Sequence, residues 1–244
     1  LEYHEAVLDD SNVGELCRGA HILVITPRLS IDIIPYLGTC RMISVQAAGT
    51  DAIDLAAARA RGITVCNVPE FCTDAVAEHA LAMILGLAKR IDDGRPLMQA
   101  GKWNSPLAYK TLGLRGKVLG MFGLGKIGLR IAEIAHDGFG MQVIAVVRNT
   151  SCSRQFKTVM WNRLLAESDF VVVAAPATPE TRNIFGRAAF AAMKPGAMLV
   201  NVSRAALVDD DALLEALNGG QLAGAAVDVF CNEPPFPDDP LLNH

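Results

Sequence analysis

A glycine-rich turn between two apolar runs constrains the fold of this chain more than any other feature of the sequence. The apolar run at residues 118–122 leads directly into the hexapeptide G-L-G-K-I-G at residues 123–128. Apolar residues at helical spacing follow, and a second apolar run covers residues 141–147. Strand, glycine turn, helix and strand, in that order, are the parts of a dinucleotide-binding βαβ unit.

The three glycines of this turn have separate physical reasons. Gly123 permits a tight turn, and Gly125 has no side chain to keep the backbone away from a pyrophosphate. Gly128 allows the helix and the strand to pack closely. The amino end of the helix adds unpaired N–H groups and the positive end of a dipole. The alternative is a glycine-rich turn that binds no ligand, but the flanking strands and helix favour a nucleotide site.

The end of the second strand bears on which dinucleotide binds. An Asp or Glu about 20 residues past the turn usually bonds the adenosine ribose hydroxyls. Here the strand ends in V-R-N-T-S at residues 147–151, without an acid. Arg148 can pair with a 2′-phosphate, and Asn149 and nearby hydroxyls can complete the shell around it. We therefore expect NADP(H) in preference to NAD(H); the alternative is an Arg148 that stacks on adenine or points into solvent.

Composition argues against several classes of protein. The chain has 244 residues, 51% of them hydrophobic, so it can build a large core in one domain or two. A net charge of -4 and the lack of basic runs argue against a nucleic-acid partner. The sequence shows neither a membrane-spanning stretch nor a signal-peptide pattern. Its six scattered cysteines lack metal-ligand spacing, which predicts free, mostly buried thiols and no metal site in a cytoplasmic protein.

Strand and helix patterns alternate along the chain, which predicts parallel sheets in two domains. The smaller α/β domain covers residues 1–72 and the dinucleotide domain covers residues 73–244, with ligand expected between them at the carboxyl ends of the strands. Elements predicted before the glycine turn are a buried strand at 21–26, a helix at 31–37, strands at 42–47 and 63–66, a helix capped by Asp54, a long buried helix from Thr73 or Asp74 to about Ile91, and a polar connector at 92–115. Elements predicted after it are strands at 169–175, 197–202 and 222–229, and helices at 162–167, 187–193 and 209–217.

Six motifs in order along most of the chain carry a family resemblance. They are A-G-T-D-A-I-D (48–54), V-A-E-H-A-L (76–81), L-R-G-K-V-L-G-M-F-G-L-G-K-I-G (114–128), P-A-T-P-E-T-R (176–182), M-K-P-G-A-M-L-V-N-V-S-R (193–204) and A-G-A-A-V-D-V-F-C-N-E-P (223–234). In these motifs the chain resembles the D-isomer-specific 2-hydroxyacid dehydrogenases, of the glyoxylate/hydroxypyruvate reductase or phosphoglycerate dehydrogenase type. The resemblance implies a Rossmann-type doubly wound parallel sheet with a second, smaller and incomplete flavodoxin-like substrate lobe.

The resemblance also implies catalytic and substrate-binding residues. Arg204 corresponds to the substrate arginine, whose guanidinium can grip a 2-oxo acid and polarise its carbonyl; the alternative is a surface arginine after a strand. Glu233 corresponds to the catalytic glutamate, which would orient a histidine and raise its pKa. Composition alone would make Glu233 an ordinary loop acid. The backbone at Ala48 and Gly49 corresponds to the loop that binds the substrate carboxylate.

Further residues are implied for the cofactor. Asp228 corresponds to the acceptor of a hydrogen bond from the nicotinamide carboxamide, although a strand-end Asp can also simply cap a turn. Lys126 and Ile127 would offer N–H groups to the pyrophosphate, and Val202 would supply backbone near the nicotinamide ribose. The complete predicted cofactor set is Val76, Gly123, Leu124, Gly125, Lys126, Ile127, Gly128, Arg148, Asn149, Pro176, Thr181, Val202 and Asp228.

The chain departs from the family pattern in several places. The general acid of the family is a histidine in a T-P-H motif beyond the glutamate, and this sequence ends at His244 without that motif. The family's C-terminal helix and the first strand and helix of its small lobe are also missing, so we expect a chain truncated at both ends. His79, within the long helix, is expected to pack or bond locally. Ala174 stands where many members carry a histidine beside the adenosine, and residues 148–161 are shorter than the usual passage.

The resemblance implies reversible hydride transfer between NADPH and a small 2-oxo acid such as glyoxylate or hydroxypyruvate. It also implies a homodimer formed through the nucleotide domain, partly by the long helix, although the core of a monomer would explain that helix equally. The alternative function is a catalytically inactive binding module, similar to the nucleotide-sensing C-terminal-binding-protein corepressors. We expect a truncated enzyme rather than a binding module.

Overall fold

The computed structural model describes residues 8–9, 11–26, 32–102, 110–148 and 155–244. Contacts within the chain divide it into two compact units, Leu1–Cys72 and Thr73–His244. Each unit has its own hydrophobic core and its own sheet.

The first unit is a three-stranded parallel sheet in the order β1-β2-β3. Asp54 begins its longer helix, because the carboxylate accepts a hydrogen bond from the backbone N–H of Ala57 at 2.9 Å. The elements are α1 (Val13–Leu16), β1 (Ile22–Ile25), a 3₁₀ turn (Ile34–Tyr36), β2 (Met42–Val45), α2 (Leu55–Ala60) and β3 (Thr64–Cys66).

The prediction that the first strand is buried is wrong. Ile25 is buried, but Ile22 is 62% exposed and Val24 is 54% exposed. Strand β1 lies at an edge of its sheet, and alternate side chains of a strand point to opposite faces. Its continuous apolar run therefore packs on one face only.

The second unit contains a six-stranded parallel sheet in the order β6-β5-β4-β7-β8-β9. The chain starts at the centre with β4, moves outward through β5 and β6, and returns to build the other half. This is the strand order of the doubly wound Rossmann fold, and the reversal between β4 and β7 opens a crevice at their carboxyl ends. The strands are β4 (Val118–Phe122), β5 (Gln142–Val146), β6 (Lys157–Thr158), β7 (Phe170–Val173), β8 (Ala197–Asn201) and β9 (Leu222–Val227).

Helices cover both faces of this sheet. Leu119 and Met121 of β4 pack with α3 and α5 on one face, and Phe122 packs with α6 and α7 on the other. The near-continuous apolar sequence of the central strands follows from this two-sided burial. The helices are α3 (Thr73–Lys89), α4 (Ile91–Gln99), α5 (Lys126–Phe139), α6 (Trp161–Glu167), α7 (Arg187–Ala192) and α8 (Asp210–Asn218), with a 3₁₀ turn at Ala205–Leu207.

The long helix ends two residues before its approximate predicted end, and the prediction of a connector without a helix after it is wrong. Helix α3 ends at Lys89, because Arg90 adopts a left-handed conformation with φ of 52°. The polar connector then begins with the helix α4, although Gly94 and Pro96 lie inside it. The carboxylate of Asp93 pairs with Arg90 across the break at 2.5 Å. The strand β6 was not predicted either, because two residues are too few to produce a pattern.

The long helix α3 is buried by its own chain. Its buried side chains, which pack in the core beneath the sheet, are Ala77, Ala80, Leu81, Ile84 and Ala88. The apolar character of α3 therefore needs no second subunit to explain it. Within the described ranges, no helix combines the length and hydropathy needed to cross a membrane.

Candidate active site

Apart from Val76 on α3, the predicted site residues of the second unit follow the carboxyl ends of five parallel strands. The glycine turn follows β4, Arg148 follows β5, and Pro176 and Thr181 follow β7. The segments after β8 and β9 carry the remaining predicted residues, which are Val202, Arg204, Asp228 and Glu233. Because carboxyl ends of parallel strands share one edge of a sheet, the topology gathers these residues on the ligand-binding side of the fold.

Two glycines of the turn are required by the protein itself. Gly123 has φ of 101°, and a Cβ there would lie 2.7 Å from the carbonyl oxygen of Ala174. A Cβ at Gly128 would clash with the carbonyl oxygen of Gly123. The turn thus packs against the end of β7, and the start of α5 packs against the turn.

Gly125 is different, because no described part of the chain requires a glycine there. It precedes α5 with ordinary extended backbone, and a Cβ at this position would meet no atom of the described residues within 4 Å. This open space lies at the amino end of a 14-residue helix, where N–H groups and the helix dipole attract an anion. The residues present therefore fit the pyrophosphate of a dinucleotide.

Some of the residues next to Gly125 pack against the core, and others are exposed. Leu124 and Ile127 are partly buried against the core, so their side chains anchor the turn. Lys126 is exposed at the start of α5. Val76, on α3, packs partly against the same core.

Arg148 is exposed at the end of β5 and lies close enough to Glu180 to influence it. The pKa of Glu180 is lowered, first by a hydrogen bond from the Thr178 side chain and also by the charge of Arg148. A 2′-phosphate at Arg148 would therefore approach an acidic side chain as well as a basic one. Asn149, predicted beside it, lies outside the described residues.

The segment after β7 is held by its own hydroxyl groups. The Thr181 side chain donates to the carbonyl of Pro176 at 3.0 Å, and it accepts from the backbone N–H of Thr178 at 2.8 Å. Thr181 thus fixes the shape of the turn that Pro176 begins. This contact gives Thr181 a defined structural role at the edge where cofactor binding was predicted.

The segment after β8 carries Arg204 on a tightly bonded turn. Val202 is buried, whereas Arg204 is exposed. The Arg204 Nη1 atom donates to the carbonyl of Ser203 at 2.7 Å. The buried side chain of Asn201 bonds to both Ser203 and Arg204.

Asp228 has a partner that sequence reasoning missed. His79 Nε2 lies 3.3 Å from Asp228 Oδ1, with both side chains about half exposed. The expectation that His79 bonds locally is wrong, since Asp228 lies at the end of β9.

Glu233 lies in an exposed loop that Cys231 ties to the start of α8. Its Oε1 atom accepts a hydrogen bond from the N–H of Phe230 at 3.3 Å. Cys231, an exposed free thiol, contacts Asp210 Oδ2 at the start of α8 at 3.3 Å. Burial and this contact raise the pKa of the Cys231 thiol, so it stays protonated and can donate.

Ala48 and Gly49 belong to the first unit, where they follow β2. The carbonyl of Ala48 accepts a hydrogen bond from Asn67 Nδ2 at 2.7 Å, and the carbonyl of Ala47 accepts one from the N–H of Val68 at 3.0 Å. These contacts join the loops after β2 and β3 and define the shape of the predicted carboxylate loop.

The sheet order and the glycine turn together define a Rossmann-type dinucleotide-binding domain. The family model for the NAD binding domain of the D-isomer specific 2-hydroxyacid dehydrogenases matches residues 81–244. The chain belongs to this family of oxidoreductases, and its cofactor is a nicotinamide dinucleotide. The predicted family and fold class are confirmed.

Two curated relatives illustrate the range of the family. The chain is 36% identical to a glyoxylate reductase of Thermococcus litoralis over 230 residues, covering 90% of this chain and 69% of the relative. It is 37% identical to a D-3-phosphoglycerate dehydrogenase of Archaeoglobus fulgidus over 219 residues, covering 88% of this chain and 41% of the relative. The chain thus spans only part of each relative.

A solved structure gives the same picture of the fold. A crystal structure of a protein from Thermus thermophilus matches with a TM-score of 0.89 and 36% sequence identity. The match covers 98% of this chain and 77% of that one.

Proposed function

We propose that this protein transfers hydride reversibly between a nicotinamide dinucleotide and a small 2-oxo or 2-hydroxy acid, with glyoxylate and hydroxypyruvate as the leading substrates. The observation that carries the proposal is the carboxyl edge of the six-stranded sheet. There an open glycine at a helix amino end and an exposed arginine follow strands of one parallel sheet. The names of the relatives support an acid with a keto group beside its carboxylate.

Arg204 is the residue that we assign to the substrate. A planar guanidinium can donate two parallel hydrogen bonds to a carboxylate and can polarise the adjacent carbonyl. The bound nicotinamide ring supplies the hydride in reduction and accepts it in oxidation. Fixing the carboxylate at Arg204 keeps the keto carbon in one place relative to the cofactor site.

Glu233 is assigned to the proton-transfer side of the reaction. A carboxylate can orient a histidine and keep it protonated until the substrate oxygen needs a proton. The histidines of the second unit have other contacts: His79 meets Asp228, His136 meets the carbonyl of Met141, and His244 meets Asn218. The assignment of Glu233 therefore rests on the family resemblance.

We also propose NADP(H) in preference to NAD(H). The support is the arginine at the end of β5, in the place where an acid would bond the ribose hydroxyls. Glu180, whose pKa is lowered in part by the charge of Arg148, would repel a 2′-phosphate bound at that arginine, which reduces the expected preference. Arg148→Gln should weaken NADPH binding more than NADH binding. Glu180→Gln should strengthen NADPH binding alone, and an equal effect on both cofactors would contradict the preference.

The remaining expectations about the whole protein are proposals as well. Binding of the substrate carboxylate at Ala48 and Gly49, dimerisation through the nucleotide domain and a cytoplasmic location all rest on the resemblance. The binding-module alternative has less support, since both curated relatives are named for catalysis.

The function can be tested by a titration followed by turnover. The purified chain is titrated with NADPH and NADH, using nicotinamide fluorescence, and glyoxylate or hydroxypyruvate is then added while oxidation is followed. Cofactor binding with turnover supports the dehydrogenase. Cofactor binding without turnover and without affinity for oxamate, an unreactive 2-oxo acid analogue, would favour the binding module. A chain that binds neither cofactor would contradict the proposal.

A further inference from the structure

Asn201 is a buried polar residue at a position where its neighbours are apolar. It ends β8 with 1% of its surface exposed, after four buried apolar residues. Its partners at the same rung of the sheet are Val173 on β7 and Val227 on β9. An apolar residue would satisfy the packing at this rung. A buried amide is tolerated only where its polar atoms find partners.

The Asn201 side chain makes its hydrogen bonds to the turn that carries Arg204. Its Oδ1 atom accepts from the Ser203 N–H at 3.0 Å and from the Ser203 hydroxyl at 3.1 Å. Its Nδ2 atom donates to the carbonyl of Arg204 at 3.0 Å. Donor and acceptor therefore hold both ends of one turn, which only an amide of this length can do.

The backbone of Asn201 reaches a second predicted site residue. Its carbonyl accepts a hydrogen bond from the N–H of Asp228 at 3.0 Å. One buried residue thus bonds directly to the segment bearing Arg204 and to the segment bearing Asp228. Asn201 therefore fixes the backbone from which the Arg204 side chain extends.

We propose that Asn201 is a positioning residue, which fixes the Ser203–Arg204 turn so that the guanidinium of Arg204 meets the 2-oxo acid carboxylate in the correct place. The proposal rests on the function assigned above. It predicts that Asn201 affects the substrate more than the cofactor. A displacement of about 1 Å at a substrate-binding group can lower the rate about 100-fold.

The test uses Asn201→Asp, which keeps the size of the side chain and its acceptor for Ser203. The new carboxylate would face the carbonyl of Arg204, where the donor is lost. We expect kcat/KM for glyoxylate to fall about 10- to 100-fold. The affinity of the cofactor complex for oxamate, an unreactive 2-oxo acid analogue, should fall by a similar factor. NAD(P)H affinity should stay within about threefold. Asn201→Ser, a milder change, serves if the first variant does not fold.

Ser168→Ala is the matched control. Ser168 is fully buried at the opposite edge of the sheet and donates to the carbonyl of Leu164 at 2.6 Å. Its loss should lower thermal stability while leaving oxamate affinity and kcat/KM unchanged. If Ser168→Ala reduces oxamate affinity as much as the Asn201 variants do, a general loosening of the domain explains the effect and the proposal fails.

A double-mutant cycle tests whether Asn201 acts through Arg204. In an Arg204→Lys background, Asn201→Asp should lower oxamate affinity by less than about threefold, because the guanidinium has already gone. Additive losses would overturn the positioning role, and so would an unchanged oxamate affinity in a folded Asn201 variant. A wild-type chain that binds dinucleotide but not oxamate overturns this inference and its substrate assignment. A chain that binds neither overturns the proposed function itself.

Discussion

The two edges of the six-stranded sheet use their charged and polar residues differently. At the amino edge, Asp169 accepts a hydrogen bond from the N–H of Val118 at 2.9 Å and pairs with Lys194 at 2.7 Å and Lys117 at 3.8 Å. At the carboxyl edge, Arg148, Arg204 and Glu233 are exposed. Charges at the first edge tie strands and turns together, whereas charges at the second lie exposed on the side where a ligand is expected.

The same contrast holds for the two buried polar residues among those the structure describes, Ser168 and Asn201. Ser168 bonds within the end of α6, next to Gly120 of β4. Asn201 bonds to a turn that leads to an exposed arginine. Burial of a polar group thus serves stability at one edge and the placement of a functional side chain at the other, and mutations at the two edges should separate these effects.

The largest effect on activity is expected from Arg204→Lys. The variant keeps the positive charge but loses the planar pair of donors, so kcat/KM for glyoxylate should fall about 10²- to 10³-fold. NADPH affinity, measured by nicotinamide fluorescence, should change little. Arg163→Lys, at an exposed arginine on α6 that pairs with Glu167, is the control. If Arg204→Lys and Arg163→Lys have a similar kcat/KM, Arg204 does not bind the substrate.

Asp169→Asn should act on stability alone. The carboxylate is mostly buried, and its loss should lower the free energy of unfolding by about 2 kcal/mol, as measured by urea denaturation. Cofactor affinity measured well below the melting temperature should not change. A weaker affinity for NADPH in this variant would show that the two edges are coupled.

The stabilisation by Asp169 should depend on pH. Burial raises the pKa of Asp169, but the bonds from Lys194 and Val118 outweigh it and leave the pKa below its ordinary value. Because the folded pKa is the lower one, the stabilisation is complete above the unfolded pKa of about 3.9 and disappears as the pH falls through the folded pKa. The wild type and Asp169→Asn should therefore converge in stability in acid.

The sequence predicted the fold correctly where a structural feature requires a particular residue type or pattern. The glycine turn and the alternating strand and helix patterns were enough to predict parallel sheets and a dinucleotide-binding βαβ unit, and the family resemblance added the doubly wound order. The predictions failed where tertiary contacts decide. Gly94 and Pro96 argued against the helix α4, and the exposure of Ile22 depends on which strands lie beside β1. Neither the pairing of His79 with Asp228 nor the bonding of Asn201 leaves a local pattern.

Gly125→Val should separate binding from folding at the glycine turn. The added side chain would meet no described atom, and the backbone conformation is allowed for valine, so the melting temperature should not change. NADPH affinity should fall about tenfold or more, and a tenfold fall corresponds to about 1.4 kcal/mol of binding free energy. Gly123→Ala is the paired variant. Its positive φ and its contact with Ala174 should make it unstable before it affects the ligand. Normal NADPH affinity in Gly125→Val would mean that no pyrophosphate approaches this turn.

The smallest effect on cofactor binding is expected from His79→Gln. Here the carboxyl edge pairs two side chains, His79 and Asp228, as the amino edge does. If His79 steadies Asp228 for the nicotinamide carboxamide, its loss should weaken NADPH binding about threefold, since a half-exposed pair is screened by solvent. His136→Gln, which removes a contact with the carbonyl of Met141 at the carboxyl end of α5, should leave NADPH binding unchanged.

Asp228→Asn tests whether His79 acts on the cofactor through Asp228. The carboxylate would be the direct ligand, so its loss should weaken binding more than the loss of His79 does. In the Asp228→Asn background, His79→Gln should then add nothing further, and an undiminished effect there would show that His79 acts on the cofactor by another route.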